Sequence, residues 1–178
     1  DLTINSLAMS GGNVDILADG DVIINSITGT VGTLRIVSTG GNVWIKSMAD
    51  GAAVSIEATG AITLGNRAAW AAGASDTTVE ASSLSLQAGG AIAVYEKDAV
   101  LVHQIRSSTG QAVTLLAGGA VTLNAGIDAS NKAVSLRTTA GALTLTAPIN
   151  SGGGSITLEG AAGLSLSELA DLGSTGGS

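Results

Sequence analysis

The chain has 178 residues and little charge, with 7 Lys and Arg against 14 Asp and Glu, 12% charged in all, and a formal net charge of −7. An ordinary soluble domain carries about 25% charged residues, so Ser, Thr, Asn and Gly must supply most of the polar surface. The acidic balance argues against nucleic acid as a partner, the absence of Cys excludes a disulfide, a thiolate nucleophile and a Cys-based zinc site, and no apolar run approaches the ~18 residues of a helical membrane insertion.

Asp1 opens inside a strand-like run (Leu2, Ile4), so the chain reads as a piece of a longer polypeptide. From there a doublet of apolar residues two apart recurs, followed eight or nine residues later by a second doublet. Val14/Ile16 goes with Val22/Ile24, Leu34/Ile36 with Val43/Ile45, and Val54/Ile56 with Ile62/Leu64. Further along come Leu84/Leu86 with Ile92/Val94, Val113/Leu115 with Val121/Leu123, Val134/Leu136 with Leu143/Leu145, and Ile156/Leu158 with Leu164/Leu166. A lone apolar residue often follows, as at Ile27, Met48, Ile127, Ile149 and Leu169, and small-residue turns such as Ala88-Gly89-Gly90 and Ala117-Gly118-Gly119 separate the doublets.

Period two places both apolar side chains of a doublet on one side and the residue between them on the other. A helix would need matches at three and four residues sustained over ten or more, and each Gly in a helix interior costs about 1 kcal/mol relative to Ala. Short strands between Gly turns are the consistent reading. One unit spans 20 to 22 residues where it is regular, and a lone unit cannot bury its apolar side, whereas stacked units bury a continuous column. The expected fold is all-β: a right-handed parallel β-helix of about seven coils, two of them longer, forming a single segment over residues 1–178. The absence of Phe suits a narrow interior.

The stretches Ala117-Gly118-Gly119-Ala120-Val121-Thr122-Leu123-Asn124-Ala125, Thr139-Ala140-Gly141-Ala142-Leu143-Thr144-Leu145-Thr146-Ala147 and Gly153-Gly154-Ser155-Ile156-Thr157-Leu158 resemble the repeats of filamentous-haemagglutinin-like adhesins. These are large exoproteins of Gram-negative bacteria, exported by two-partner secretion and built as right-handed β-helices. The resemblance is one of repeat style over essentially the whole chain, while the export module and its Asn-rich signature are missing. It implies a shaft segment displayed outside the cell, at the bacterial surface, and working in cell adhesion.

The residues offer little catalytic chemistry. Outward positions of the doublets are mostly hydroxyls, with Asp15, Arg35, Ile23, Trp44 and Ala93 as the exceptions, and they stack no carboxylates. His103, the only His, has no evident Ser or Cys partner, so a triad is not expected. The Gly runs lack the Lys-Ser/Thr of a phosphate loop, and neither a cofactor nor a metal site is expected. A non-enzymatic protein is the reading.

The period breaks in two neighbouring coils of 30 and 29 residues, where loop-like insertions are expected near 65–83 and 95–111. Insertions in solenoids map to one surface and often bind, so the two should lie side by side as one bump or groove. Trp70, Tyr95 and His103 fall there with Arg67, Asp76, Glu80, Glu96, Asp98 and Arg106. Trp and Tyr beside acids and Arg can stack on a sugar ring and bond its hydroxyls. Equally, Val100-Leu101-Val102 and Ile105 look like strand and packing residues, which suits a short extra sheet against the rod. Trp44 should point outward, as an anchor for a partner or under a neighbouring loop.

The expected function is therefore a structural shaft or adhesion segment of a large secreted surface protein, with host or neighbouring-cell glycans or proteins as partners. The alternative is a carbohydrate-binding or polysaccharide-cleaving β-helix, which would need Asp76, Glu80, Glu96 and Asp98 to converge.

Overall fold

The computed structural model describes residues 1–8, 10–29, 32–68 and 79–173. Their strands pair in parallel, turn upon turn, as a β-solenoid with three strand positions per coil. One face runs the length of the rod as eight stacked strands: Leu2–Ile4, Val22–Ile24, Val43–Ile45, Ile62–Leu64, Ile92–Glu96, Val113–Ala117, Val134–Thr138 and Ile156–Glu159. At the usual strand spacing this face is ~34 Å long. We call it the long face. Its inner residues, from Val22 and Ile24 through Leu136, are almost wholly buried, and the residue between each pair points outward.

The doublet rule explains these strands, but doublets of one kind do not stack on one another throughout. In the first four coils the first doublets form a second face, Asn13–Ala18, Thr33–Ser38, the latter part of Met48–Ala58 and the latter part of Val79–Ala88, while the second doublets build the long face. Val113/Leu115, a first doublet, then stacks on Ile92/Val94, a second doublet. The frame has moved round the rod by one face.

Val100–Ser107 makes that exchange possible. Its Val102 and Ile105 lie on Leu84 and Leu86 of the coil before. On its other edge, Val100–Val102 carries Val121–Leu123, and Ile105-Arg106 carries Ile127-Asp128. Thus one straight strand becomes two strands around a corner. A compensating change occurs across the rod. In early coils the corners Asn25-Ser26 and Lys46-Ser47 separate the long face from the apolar column Leu7–Ile27–Met48–Val79. Later that column continues as Glu96, Ala117 and Thr138, the ends of straight long-face strands.

This changes the reading of the two breaks in the period. The advance from Ile62 to its partner Ile92 is 30 residues, and the extra chain lies between Leu64 and Val79, with residues 69–78 outside those described. From Ile92 to Val113 the advance is an ordinary 21 residues. Residues 95–107 are not a loop-like insertion, because they end one strand and form the next, Val100–Ser107. Likewise residues 79–83, expected in the first insertion, begin the strand Val79–Ala88. The apparent second insertion is the frame exchange itself.

The buried hydroxyls inside the coil sit at turns and are satisfied there, whereas Asn25 Oδ1 is buried at its corner without a hydrogen-bond partner among the described residues. Ser38 Oγ donates to the Gly20 carbonyl at 2.8 Å and accepts the Gly41 N–H at 3.1 Å, and Ser107 Oγ serves Gly90 and Gln111 in the same way. Thr138 Oγ1 donates to the Gly141 carbonyl and accepts the Ala161 N–H. At another corner Asp1, Asp21 and Asn42 form a ladder in which each side chain accepts a backbone N–H of the next coil, Asp21, Asn42 and Ala61 in turn, at 2.7–3.0 Å.

Candidate functional site

Trp44 stands between Ile23 and Thr63 on the outer side of the long face. Val43 and Ile45 point inward, so period two turns the indole out, 36% exposed. Lys46 follows two residues on and places its Nζ 4.8 Å from the ring centroid, a cation–π contact. The indole Nε1 donates to the Gly65 carbonyl at 3.4 Å, where the chain leaves for its long excursion. Beside the ring runs a groove lined by Ile23 and Ala61 together with Asp21, Asn42 and Thr63. This arrangement offers an apolar plate edged by hydrogen-bonding groups.

The other expected site residues do not gather into one site. Arg67 is exposed at the start of the excursion, and Trp70 and Asp76 lie outside the described residues. Tyr95 points outward on the long face, half-buried, with Leu116 as its neighbour. Glu80 is paired with the Lys97 ammonium, and that contact holds Lys97 above the ordinary lysine range. Asp98 is exposed at the turn that follows.

Glu96 lies inside the coil with no exposed surface. Its Oε2 accepts the Ala81 N–H at 3.0 Å, and its Oε1 accepts that of Asp98 at 3.4 Å. Burial pushes its carboxyl up from the usual 4.5 to about 8, against the pull of the backbone donors. A group so placed is closed to a surface ligand.

His103 and Arg106 lie on the second face, away from Trp44 and Tyr95. Leu84 pairs with Val102 and Ser85 with Gln104, so His103 is the extra residue of a bulge. Both His103 and Gln104 point outward. His103 closes one end of a groove that runs over Ser85, Ser83 and Ser55 to Arg35. Arg106 is exposed between Gln87 and Asp128. Sequence reasoning did not anticipate this second-face groove, because it exists only once His103 is stacked on the Ser85 coil. Trp44 did have a signal, since it falls on the outward side of a period-two strand, and Lys46 meets its ring from the corner that follows.

No protein-family model, curated protein or solved structure matches the chain. Among the described residues no group of three or more His, Asp or Glu is placed to hold a metal ion, and no helix is long and apolar enough to cross a membrane.

Proposed function

We propose that this chain is a structural shaft segment of a secreted bacterial surface protein, non-enzymatic, which holds adhesive surfaces out from the cell. The observation that carries this reading is the parallel register of the long face, eight strands from Leu2–Ile4 to Ile156–Glu159. Backbone bonds along the rod and an apolar column inside it resist bending and cleavage together, because no coil opens without exposing its neighbours. The repeat-style resemblance to filamentous-haemagglutinin-like adhesins supports the placement at the cell surface, with glycans or proteins of other cells as partners.

The carbohydrate-active alternative is weakened by where its acids sit. Glu80 is engaged by Lys97 and Glu96 is inside the coil. Glycan binding without cleavage keeps one favourable feature, the half-exposed Trp44 beside its groove.

The deciding experiment is a glycan-array and cell-binding screen of the whole chain beside a variant in which residues 65–78 are replaced by a two-residue corner such as Asn25-Ser26. Adhesion by the wild type supports the proposal, and its loss in the shortened, folded rod places the contact on the excursion. Depolymerisation of an acidic polysaccharide would overturn it in favour of the enzyme.

A further inference from the structure

Each long-face strand turns one residue outward between two inward ones, and in six of the eight strands that residue is Thr, Ser or Ala. It is large and apolar only at Ile23 and Trp44, which are opposed in the register of adjacent coils. Neither belongs to the inner apolar column, so the interior of the rod does not account for them. With Ala61 they form the apolar part of a groove of about 350 Å³, and Asp21, Asn42 and Thr63 form its polar part. That volume is at the small end of the range for ligand sites.

The corner ladder fixes the polar atoms of this groove. Asp21 Oδ1 accepts the Asn42 backbone N–H at 2.7 Å and the Asn42 side-chain amide at 3.0 Å. Asn42 Oδ1 in turn accepts the Ala61 N–H at 2.8 Å. Among the described residues these bonds leave three groups without a partner: Asp21 Oδ2, the second Nδ2 hydrogen of Asn42 and the Thr63 hydroxyl. The groove thus presents an acceptor, a donor and a group that does both, beside an indole held by its bond to Gly65.

We propose that this groove binds one uncharged pyranose ring of a glycan, packed against Trp44 and held through its hydroxyls. The assignment rests on the adhesive reading above and names the class of sugar for that contact. A sugar hydroxyl donates and accepts at once, so adjacent hydroxyls give a hydrogen bond to Asp21 Oδ2 and take one from the Asn42 amide. The C–H side of the ring covers Ile23, Ala61 and the indole. A purely apolar partner would instead cover the free carboxylate oxygen unpaired, which is costly. Charge narrows the class further. Asp21 is the one charged residue among the described lining, and it repels a carboxylate or sulfate. The Lys46 ammonium already lies 4.8 Å from the indole centroid, where it opposes a second cation. A neutral ring meets neither penalty, and the ladder holds its partners in place before it arrives.

The test is saturation-transfer NMR of the whole chain with the methyl glycosides of glucose, galactose and mannose, followed by the uronic acid and the 2-amino sugar that correspond to the best-bound one. The expected result is a Kd on the order of 1 mM for at least one glycoside, with both charged counterparts bound about tenfold more weakly or not at all. Trp44→Ala abolishes the signal, and Asp21→Asn, which trades the free acceptor for a donor, weakens binding about tenfold or more. Should either variant misfold by circular dichroism, the shape-conserving Thr63→Val must weaken binding several-fold. No signal from any of the three glycosides, equal binding of a charged counterpart, or undiminished binding in Trp44→Ala overturns the proposal. Cell adhesion without any glycoside signal refutes this site and leaves the adhesive reading standing. A glycoside signal that Trp44→Ala abolishes, without cell adhesion, supports the site and refutes that reading.

Discussion

Ile105 stacks on Leu86 although it lies three residues beyond Val102, while Leu86 lies two beyond Leu84, the partner of Val102. The surplus residue, His103, is expelled outward, and from this step a straight strand becomes two strands and a corner. In the following coils the same separation is four residues, from Leu123 to Ile127 and from Leu145 to Ile149. Ile105 is therefore a column residue, fully buried, and not part of a surface loop. Ile105→Ala should cost about 2–5 kcal/mol, the range for truncating a buried Ile. Arg106→Ala, on the exposed side, should change stability by less than about 0.5 kcal/mol. Urea midpoints followed by far-ultraviolet circular dichroism separate the two, and equal midpoints would contradict the placement of this strand inside the rod.

Gly118 marks a second place where coils approach without room for a side chain. Its N–H bonds the Glu96 carbonyl at 2.9 Å, and a Cβ on it would fall far inside van der Waals contact distance of the Lys97 carbonyl oxygen. That atom is backbone, so it cannot swing aside. Gly118→Ala should destabilise the rod by about 1–3 kcal/mol, as overpacking does. Gly11→Ala is not an equivalent control, because Gly11 has open space around it but a φ of +99°. The better comparison is Gly126→Ala, whose nearest neighbour, the Pro148 carbonyl oxygen, is 3.1 Å away, and which should cost less in the same melt.

The strands were legible because the apolar doublets obey period two and the turns between them are small. Val100-Leu101-Val102 and Ile105 were legible as strand-like too. Their coil was not, because counting from one first doublet to the next, Leu84 to Val113, assumes that like stacks on like. The register shows Val113 on Ile92, and nothing local in the sequence announces that change of partner. Trp44 was legible as an outward aromatic from its two inward neighbours. Glu96 was not legible as a core residue, since its charge and its neighbours Lys97 and Asp98 read as surface, and only the column Met48–Val79–Glu96–Ala117 puts it inside.

Ion pairs join adjacent coils on the outer surface, Asp15 with Arg35 at 3.0 Å and Arg137 with Glu159 at 2.7 Å. Each is a directly opposed pair in the register. All four side chains are more than half exposed, so water and salt screen the attraction. A double-mutant cycle on Arg137 and Glu159 should give a coupling of about 0–1 kcal/mol that shrinks further in 1 M salt. A larger, salt-resistant coupling would mean that these pairs, and not the inner column, hold the terminal coils.

The inner column predicts an unusual dependence of global stability on pH. Most paired surface carboxylates favour folding as pH rises, because they titrate lower in the folded than in the unfolded chain. Glu96 acts in the opposite sense. Its carboxyl titrates near 8 when folded and near 4.5 when unfolded, so the folded chain holds the extra proton. Its contribution is fully present below pH 4.5, falls as pH rises through the interval, and is exhausted above about pH 8. The loss across that interval is on the order of a few kcal/mol. Glu96→Gln keeps the shape and an acceptor for the Ala81 N–H but cannot ionise, so it should match the wild type at pH 4 and exceed it at pH 8.5. Urea unfolding of both proteins at those two values measures the crossing. A variant equally or less stable at pH 8.5 would show that the buried carboxyl is not the group that penalises the folded rod in alkali.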